Sequence, residues 1–473
     1  MTENPSAITA QSEAASGDMQ GSAGNIAQTC PAVTLEIGVF FDGTGNNTAN
    51  TQSEGFTASY NSARSNVSLL YPLYKNGSDF DVPNDCGGVK TKYASIYKEG
   101  IGTSAGWSDY TPTILAGGAT GTGLTGVESR VFDACVEVGT IISRLSPAEE
   151  PKEIILDVFG FSRGAAAARY FVNCFRQGFV DYLELYVNPK RAYLPEGRNV
   201  TIRFVGIFDT VAAIGFGTDD DNGPVNVHMS TAQAEKIYHL TAKHEYRDNF
   251  RLNHNAPNGG DTREMLGAHS DVGGGYRGTG DSILVDRTNT RVFLDHATAQ
   301  AAHSADTAAA AASRNAAQSF WVQDGWIRPN EPTGGLENAP SPLMTRRVSD
   351  RRGGWHTRYT YATGAELNRP WVQVGLSRIP LKIMYDQGKA VSVPFTALPT
   401  GGEYQIPGPL STLAGSLENG GALPTGTNRR EILRNYGHVS SNLNKIGMRP
   451  QLGVGNQRMW HRTIYPNDAG QAK

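Results

Sequence analysis

Long apolar runs are missing from this chain of 473 residues. No stretch approaches the ~18 apolar residues of a membrane-spanning helix, and the mean hydropathy of -0.38 is that of a soluble, globular protein. Cysteine is scarce. Cys30, Cys86, Cys135 and Cys174 are scattered without C-x-x-C spacing, which argues against a structural zinc site. Cys135 and Cys174 fall in apolar helical stretches and read as buried thiols. Cys30 and Cys86 sit in polar loops, where pairing would depend on an oxidising compartment. A surplus of one charge is missing too. Forty-two Lys and Arg face 45 Asp and Glu, for a net charge of -3. That leaves no electrostatic case for nucleic acid and no strong pull toward anionic lipid. Met1 to Gln28 lacks the basic and apolar regions of a Sec signal. Its Ser, Ala, Gly, Glu and Gln content predicts a disordered leader over residues 1–32. Glycine, by contrast, is plentiful at 55 residues and suggests many loops around a sheet.

Strand and helix signals alternate from 33 to 290, which predicts an α/β fold with a doubly wound, mainly parallel sheet. Val33 to Phe41 reads as a buried strand ending in Asp42-Gly43-Thr44-Gly45-Asn46-Asn47, at the sheet edge where ligands bind. Residues 50–90 read as a loop-rich excursion, and Thr91 to Tyr97 as a weaker strand. Residues 116–126 form a glycine loop that lacks the G-K-[ST] of a phosphate-binding loop. They read as a mobile loop or helix entry. Val127 to Leu145 has helical spacing. Val200 to Phe208 is the next buried strand, Ala232 to Asn249 reads as a helix, and Thr262 to Gly267 as a short strand. Beyond residue 290 the texture changes. An alanine-rich helix over Asp295 to Phe320 is followed by a polar stretch with Arg346, Arg347, Arg351 and Arg352. A helix is expected at Pro380 to Gly388 and a Gly/Pro-rich loop at 396–427. Residues 291–473 read as a helical and loop decoration packed on the 33–290 core.

The most informative stretch is Ile154 to Arg169: an apolar strand, Gly160-Phe161-Ser162-Arg163-Gly164, then an alanine-rich helix. This is the G-x-S-x-G nucleophile elbow in its strand–turn–helix setting. A serine on so sharp a turn needs neighbours without Cβ, so that strand and helix can approach. The helix N-terminus then aims free N–H groups at the reacting oxygen. Serine is a poor nucleophile and needs a histidine base oriented by a carboxylate. In α/β-hydrolases the order is Ser, Asp or Glu, His. Asp209 ends the strand after the elbow, and His269 follows the next one in a glycine run. Among ten histidines, His228, His239, His244 and His254 read as solvated. His438 is the alternative base, and Asp271 the alternative acid; Asp271 otherwise caps the turn that carries His269. Asp42 organises its own turn. The oxyanion hole is expected from the Arg163 N–H and from Gly43 or Thr44. The run Asp219-Asp220-Asp221-Asn222-Gly223 lacks the spacing of a calcium loop and reads as a solvated acidic turn, so no metal is assigned. The chemistry requires no cofactor.

Together, Phe40 to Asn47, Gly160 to Ala165, Gly206 to Val211 and Gly267 to Tyr276 resemble the G-x-S-x-G class of type VI secretion lipase effectors, within a wider α/β-hydrolase family. The likeness covers roughly 33–290 and more weakly 369–445. The resemblance implies a phospholipase A acting on membrane glycerophospholipids of a rival bacterium. It implies a spike protein as carrier and a cognate immunity protein. It also implies a cytoplasmic stage before delivery to the target periplasm without a Sec signal. Its triad falls on Ser162, Asp209 and His269. The chain is shorter than some relatives, so a C-terminal membrane-anchoring module is reduced or absent. Membrane contact is expected either at the alanine-rich helix with Trp321 and Trp326, or at Trp371 to Pro380. The alternatives are an esterase or thioesterase on soluble acyl substrates, and a non-catalytic binding protein on a hydrolase fold.

Overall fold

The computed structural model describes residues 33–467 apart from 56–57, 84–88, 146–150, 185–187, 194–198, 215–224, 288–290, 340–341, 350–352, 444, 446 and 453–457. The expected leader, Cys30, Cys86, the acidic run at 219–223, Arg351 and Arg352 therefore lie outside the described residues.

Apolar alternation builds the centre. In β1 (Val33–Phe41), Leu35, Ile37, Val39 and Phe41 point to one face and Phe40 to the other. The strand lies between β3 (Val89–Lys98) and β4 (Pro151–Phe161), parallel to both. The short β2 (Val82–Pro83) borders β3 in antiparallel register. A hairpin of β5 (Phe179–Glu184) and β6 (Asn188–Tyr193) stands apart. Beyond β4 the sheet continues with β7 (Asn199–Phe208), β8 (Lys236–Ala242) and, past the two-residue β9 (Leu252–Asn253), β10 (Asp261–Met265). The order is β10-β8-β7-β4-β1-β3-β2, with every pairing parallel except that of β2.

Both faces are covered, as a largely parallel sheet requires. Short helices α1 (Thr48–Thr51), α2 (Ala58–Asn61) and α3 (Asn66–Leu70) fill the excursion after β1. After α4 (Pro112–Thr120), α5 (Val127–Ser143) and α6 (Arg163–Gln177) cover one face, where Val131, Val138, Ala165 to Ala168 and Phe171 meet Ile154, Leu156 and Val158. The other face carries α3 and, from far along the chain, α9 (Arg378–Lys389). There Ile383 and Met384 share a core with Phe159 and Phe204. Between them lie α7 (His269–Gly273) and α8 (His296–Asp324).

Five expectations are corrected. Residues 291–473 are not helix and loop alone: Gly335–Asn338 pairs with Gly364–Arg369, and Arg291–Phe293 and Met344–Ser349 pair with Trp355–Tyr361, all antiparallel. Residues 236–242 are strand, not helix: the run is buried between β7 and β10, and a short apolar run carries no periodicity that separates the two. The glycine stretch is half helical, because Pro112 opens α4 and Gly121 closes it with φ 72°. The Gly/Pro-rich loop holds α10 (Ser411–Glu418), seated by Leu413, Ala414 and Leu417. The bulky side chains expected to make membrane contact are withdrawn from the surface, although much of α8 itself is exposed. Trp321 and Trp326 are buried, as are Val372, Leu376 and Ile379, while Trp371 donates its indole N–H to the Arg434 carbonyl at 3.0 Å. Cys135 and Cys174 are buried, as expected.

Candidate active site

The elbow is built by missing side chains. A Cβ on Gly160 would strike the Gly164 carbonyl and the Ala165 Cα, and one on Gly164 would strike the carbonyls of Phe41 and Asp42. With neither present, β4, α6 and the end of β1 close around Ser162. The serine holds φ 58° and ψ -125°, a conformation that side-chain-bearing residues seldom adopt. The fold over-determines it. The Ser162 N–H donates to the Phe208 carbonyl at 3.1 Å, and the Ser162 carbonyl accepts from Ala165 at 3.0 Å.

One strand over, Asp209 follows the last residue of β7, also at positive φ (43°) and fully buried. Asp209 Oδ2 lies 2.5 Å from His269 Nδ1. Asp209 Oδ1 accepts the Ala242 N–H at 2.8 Å and Arg462 Nη1 at 2.6 Å. Burial would raise the Asp209 carboxyl, but the Arg462 charge and the His269 bond outweigh it and hold the group well below the carboxylate range. The His269 ring packs on Phe161 at 4.6 Å and against the edge of Phe250 at 5.0 Å. Burial lowers its pKa, and Asp209 works against that shift. The His269 N–H donates to Glu245 Oε2 at 3.2 Å. Burial raises the Glu245 acid, but Arg247, at 2.9 Å, brings it down to about 2.

The alternative pair also forms, but as a clamp. Asp271 Oδ1 is 2.8 Å from His438 Nδ1, while Oδ2 accepts the N–H groups of Ala268 and His438 at 2.9 and 2.8 Å. Tyr276 stacks on His438 at 4.0 Å. Asp271 therefore caps the turn that carries His269, and the segment after α11 (Gly426–Tyr436) is tied to that turn.

Asp42 organises its own turn, as expected. It accepts from Gly43 N–H (2.7 Å), Ser65 Oγ (2.5 Å) and Tyr97 OH (2.6 Å). Gly43 therefore has its N–H committed. Among the described residues, the N–H groups of Thr44 and Arg163 have no backbone acceptor. Arg163 Nε donates to Thr44 Oγ1 at 2.8 Å and holds the two loops together.

Two of the histidines read as solvated are buried. His239 sits inside β8, where its Nε2 accepts the Thr210 N–H at 3.1 Å, immediately after Asp209. His244 is held down to about 4 by burial. Sequence reasoning missed Glu245, Arg247 and Arg462. The charged pair Glu245 and Arg247 directly after a buried strand was a usable signal; Arg462 offered none. Among the described residues, no group of three or more His, Cys, Asp or Glu is placed to hold a metal ion.

A mainly parallel sheet wound on both faces, with a serine on a strained strand-to-helix turn, defines an α/β-hydrolase-like architecture. The sequence matches the catalytic domain of the Tle1-like phospholipase effectors of type VI secretion over residues 36–181 and 186–297, more than half of the chain, and the protein belongs to that family. It is a type VI phospholipase effector, a hydrolase of lipid esters. The fold is similar to that in the structure of the Tle1 effector bound to the VgrG spike from the type VI secretion system. That match has a TM-score of 0.63 and 23% identity, and covers 95% of this chain and 98% of that one. A crystal structure of an uncharacterized protein from Pseudomonas aeruginosa matches with a TM-score of 0.44 and 18% identity, over 86% of this chain and 53% of that one. No curated protein matches the chain significantly.

Proposed function

We propose that Ser162, His269 and Asp209 form the catalytic triad of a phospholipase A. The observation that carries this reading is the buried Asp209–His269 bond of 2.5 Å, set beside the Ser162 elbow at the carboxyl edge of the sheet. Asp209 occupies His269 Nδ1 and leaves Nε2, across the ring, to take the serine proton. Ser162 Oγ attacks the acyl carbonyl of a glycerophospholipid. The oxyanion is met by the N–H groups of Arg163 and Thr44. The imidazolium returns its proton to the departing glycerol oxygen, and lysophospholipid leaves. Water, deprotonated by His269, then releases the fatty acid from Ser162. The domain reading that goes with this places the catalytic core at 33–290 and treats 291–473 as an extension packed upon it.

Lipid access is proposed at residues 104–125, which border Arg163: its Nη2 donates to the Gly118 carbonyl. Trp107, Tyr110, Leu115 and Leu124 all stand exposed there. The carrier is proposed to be a VgrG-type spike, because the structurally similar Tle1 is bound to one. An immunity protein in the producer, a cytoplasmic stage before delivery and action in the target periplasm complete the reading.

Fatty-acid release from phosphatidylethanolamine and phosphatidylglycerol vesicles tests it. Release by the wild type should be abolished in Ser162→Ala and His269→Ala, and only reduced in His438→Ala. Full release by Ser162→Ala would sink the reading. Loss in His438→Ala with His269→Ala still active would move the base to His438 and the acid to Asp271.

A further inference from the structure

The tail of the chain reaches the catalytic carboxylate. Ile464 and Tyr465 pair in parallel with Leu252 and Asn253. Leu252 N–H donates to Thr463, His254 N–H to Tyr465 and Asn467 N–H to Ala256, all within 3.0 Å. Trp460 stacks on Phe320 at 5.6 Å and meets the edge of Tyr246 at the same distance. Between these anchors Arg462, its side chain 5% exposed, sends Nη1 to Asp209 Oδ1 and Nε to the Phe250 carbonyl, each at 2.6 Å. The family match ends at residue 297, so Arg462 lies outside the matched catalytic domain.

The charges around His269 can be counted. Asp209 faces its Nδ1, and Glu245 accepts its N–H. Arg247 is paired with Glu245, and Arg462 with Asp209. On its own helix, Asp271 is engaged with His438. Arg163 turns its guanidinium away, toward Thr44 and Gly118. Two carboxylates and two guanidinium groups thus balance beside a buried imidazole. Without Arg462 one carboxylate would be uncompensated, and in a poorly solvated site it would draw a proton onto His269. A histidine already protonated cannot take the proton of Ser162.

We propose that Arg462 is a positioning residue of the active site. The tail brings its guanidinium to Asp209, fixes that carboxylate on His269 and balances its charge, so that the imidazole stays free to act as base. The active site is then complete only when residues 458–467 are docked. This rests on the triad reading above.

The test is the pH dependence of kcat/KM on a micellar short-chain phosphatidylcholine, measured on the full chain for wild type, Ser162→Ala, Arg462→Gln, Arg462→Met and Arg462→Lys. The acid limb should move up by about one pH unit in the Gln and Met variants, which is a loss of about tenfold at pH values well below both limbs and little change on the plateau above them. The Lys variant should return the limb toward the wild type. Arg462→Met fills the space without the charge and carries the same reading should Arg462→Gln fail to fold. An unmoved limb with a uniform loss of rate, or a Lys variant no better than Gln, would overturn the role given to Arg462. Activity in Ser162→Ala would instead overturn the triad, so the two failures are distinguishable.

Discussion

At the scale of single residues, one buried ion-pair network lies away from the chemistry. Asp157, in the middle of β4, is fully buried and holds Arg203 at 2.5 Å; Arg203 also reaches Glu36 at 2.7 Å, and Tyr74 OH donates to Asp157 at 2.8 Å. Burial pushes the Asp157 acid up, while the Arg203 bonds act against that shift. Taking one member of such a pair away leaves a buried charge unmatched, which typically costs about 3–5 kcal/mol. Asp157→Ala should therefore lower the free energy of unfolding by that amount in urea titration. Replacing Asp157 and Arg203 together by Leu and Met should recover most of it. If the single and double variants are equally destabilised, the ion pair is not the source. The network was invisible in the sequence, where Asp157 sits in an apolar run and Arg203 in another. Only the parallel register of β4 and β7 brings them together.

At the scale of elements, the segment from Ser104 to Thr125 stands out. It packs against the residue that follows Ser162, through the Arg163 to Gly118 bond, yet it exposes Trp107 at 61% and Tyr110 at 70%. Trp and Tyr are the side chains that settle at the headgroup level of a bilayer, with an apolar body and a polar edge. Leu115, on α4, adds an exposed aliphatic group to the same segment. The double variant Trp107→Ser with Leu115→Ser should lose about tenfold or more of its activity on vesicles, since each exposed apolar group that enters the interface contributes roughly 1–2 kcal/mol. It should keep its rate on a soluble monomeric ester. Equal losses on both substrates would show that the segment shapes the site rather than meeting the membrane.

At the scale of the whole molecule, buried histidines set the acid behaviour. Burial lowers His239 and His269, and brings His244 to about 4 from an ordinary 6.5. The unfolded chain takes up those protons first, near pH 6.5, so stability is full above that pH and declines as pH falls toward the folded-state values. Asp42, Asp157 and Glu36 are raised by burial and act in the opposite direction at the acid end. The decline should therefore be clearest between about pH 6.5 and 5. Thermal melts should show a level Tm from pH 8 to 7 and a fall across that window. A Tm unchanged from pH 7 to 5 would contradict the burial of these rings.

Local chemistry made the sheet, the elbow and the ordered Asp209 and His269 legible in the chain itself. Apolar strands, small residues at a forced turn and glycine runs are signals carried by neighbours in sequence. The same locality explains the errors. The segment 236–242 is buried along nearly its whole length as an interior strand between β7 and β10, and nothing within it marks strand against helix. His239 and His244 look solvated until their neighbours are in place. The closing of Gly43 by Asp42 became visible only with the turn folded. The tertiary structure alone decided which side chains surround Ser162, Asp209 and His269, and Arg462 is the plainest case. It meets Asp209 across 253 residues. A contact of that span leaves no periodicity, spacing or composition behind, because it exists only once two distant segments have been packed into one core.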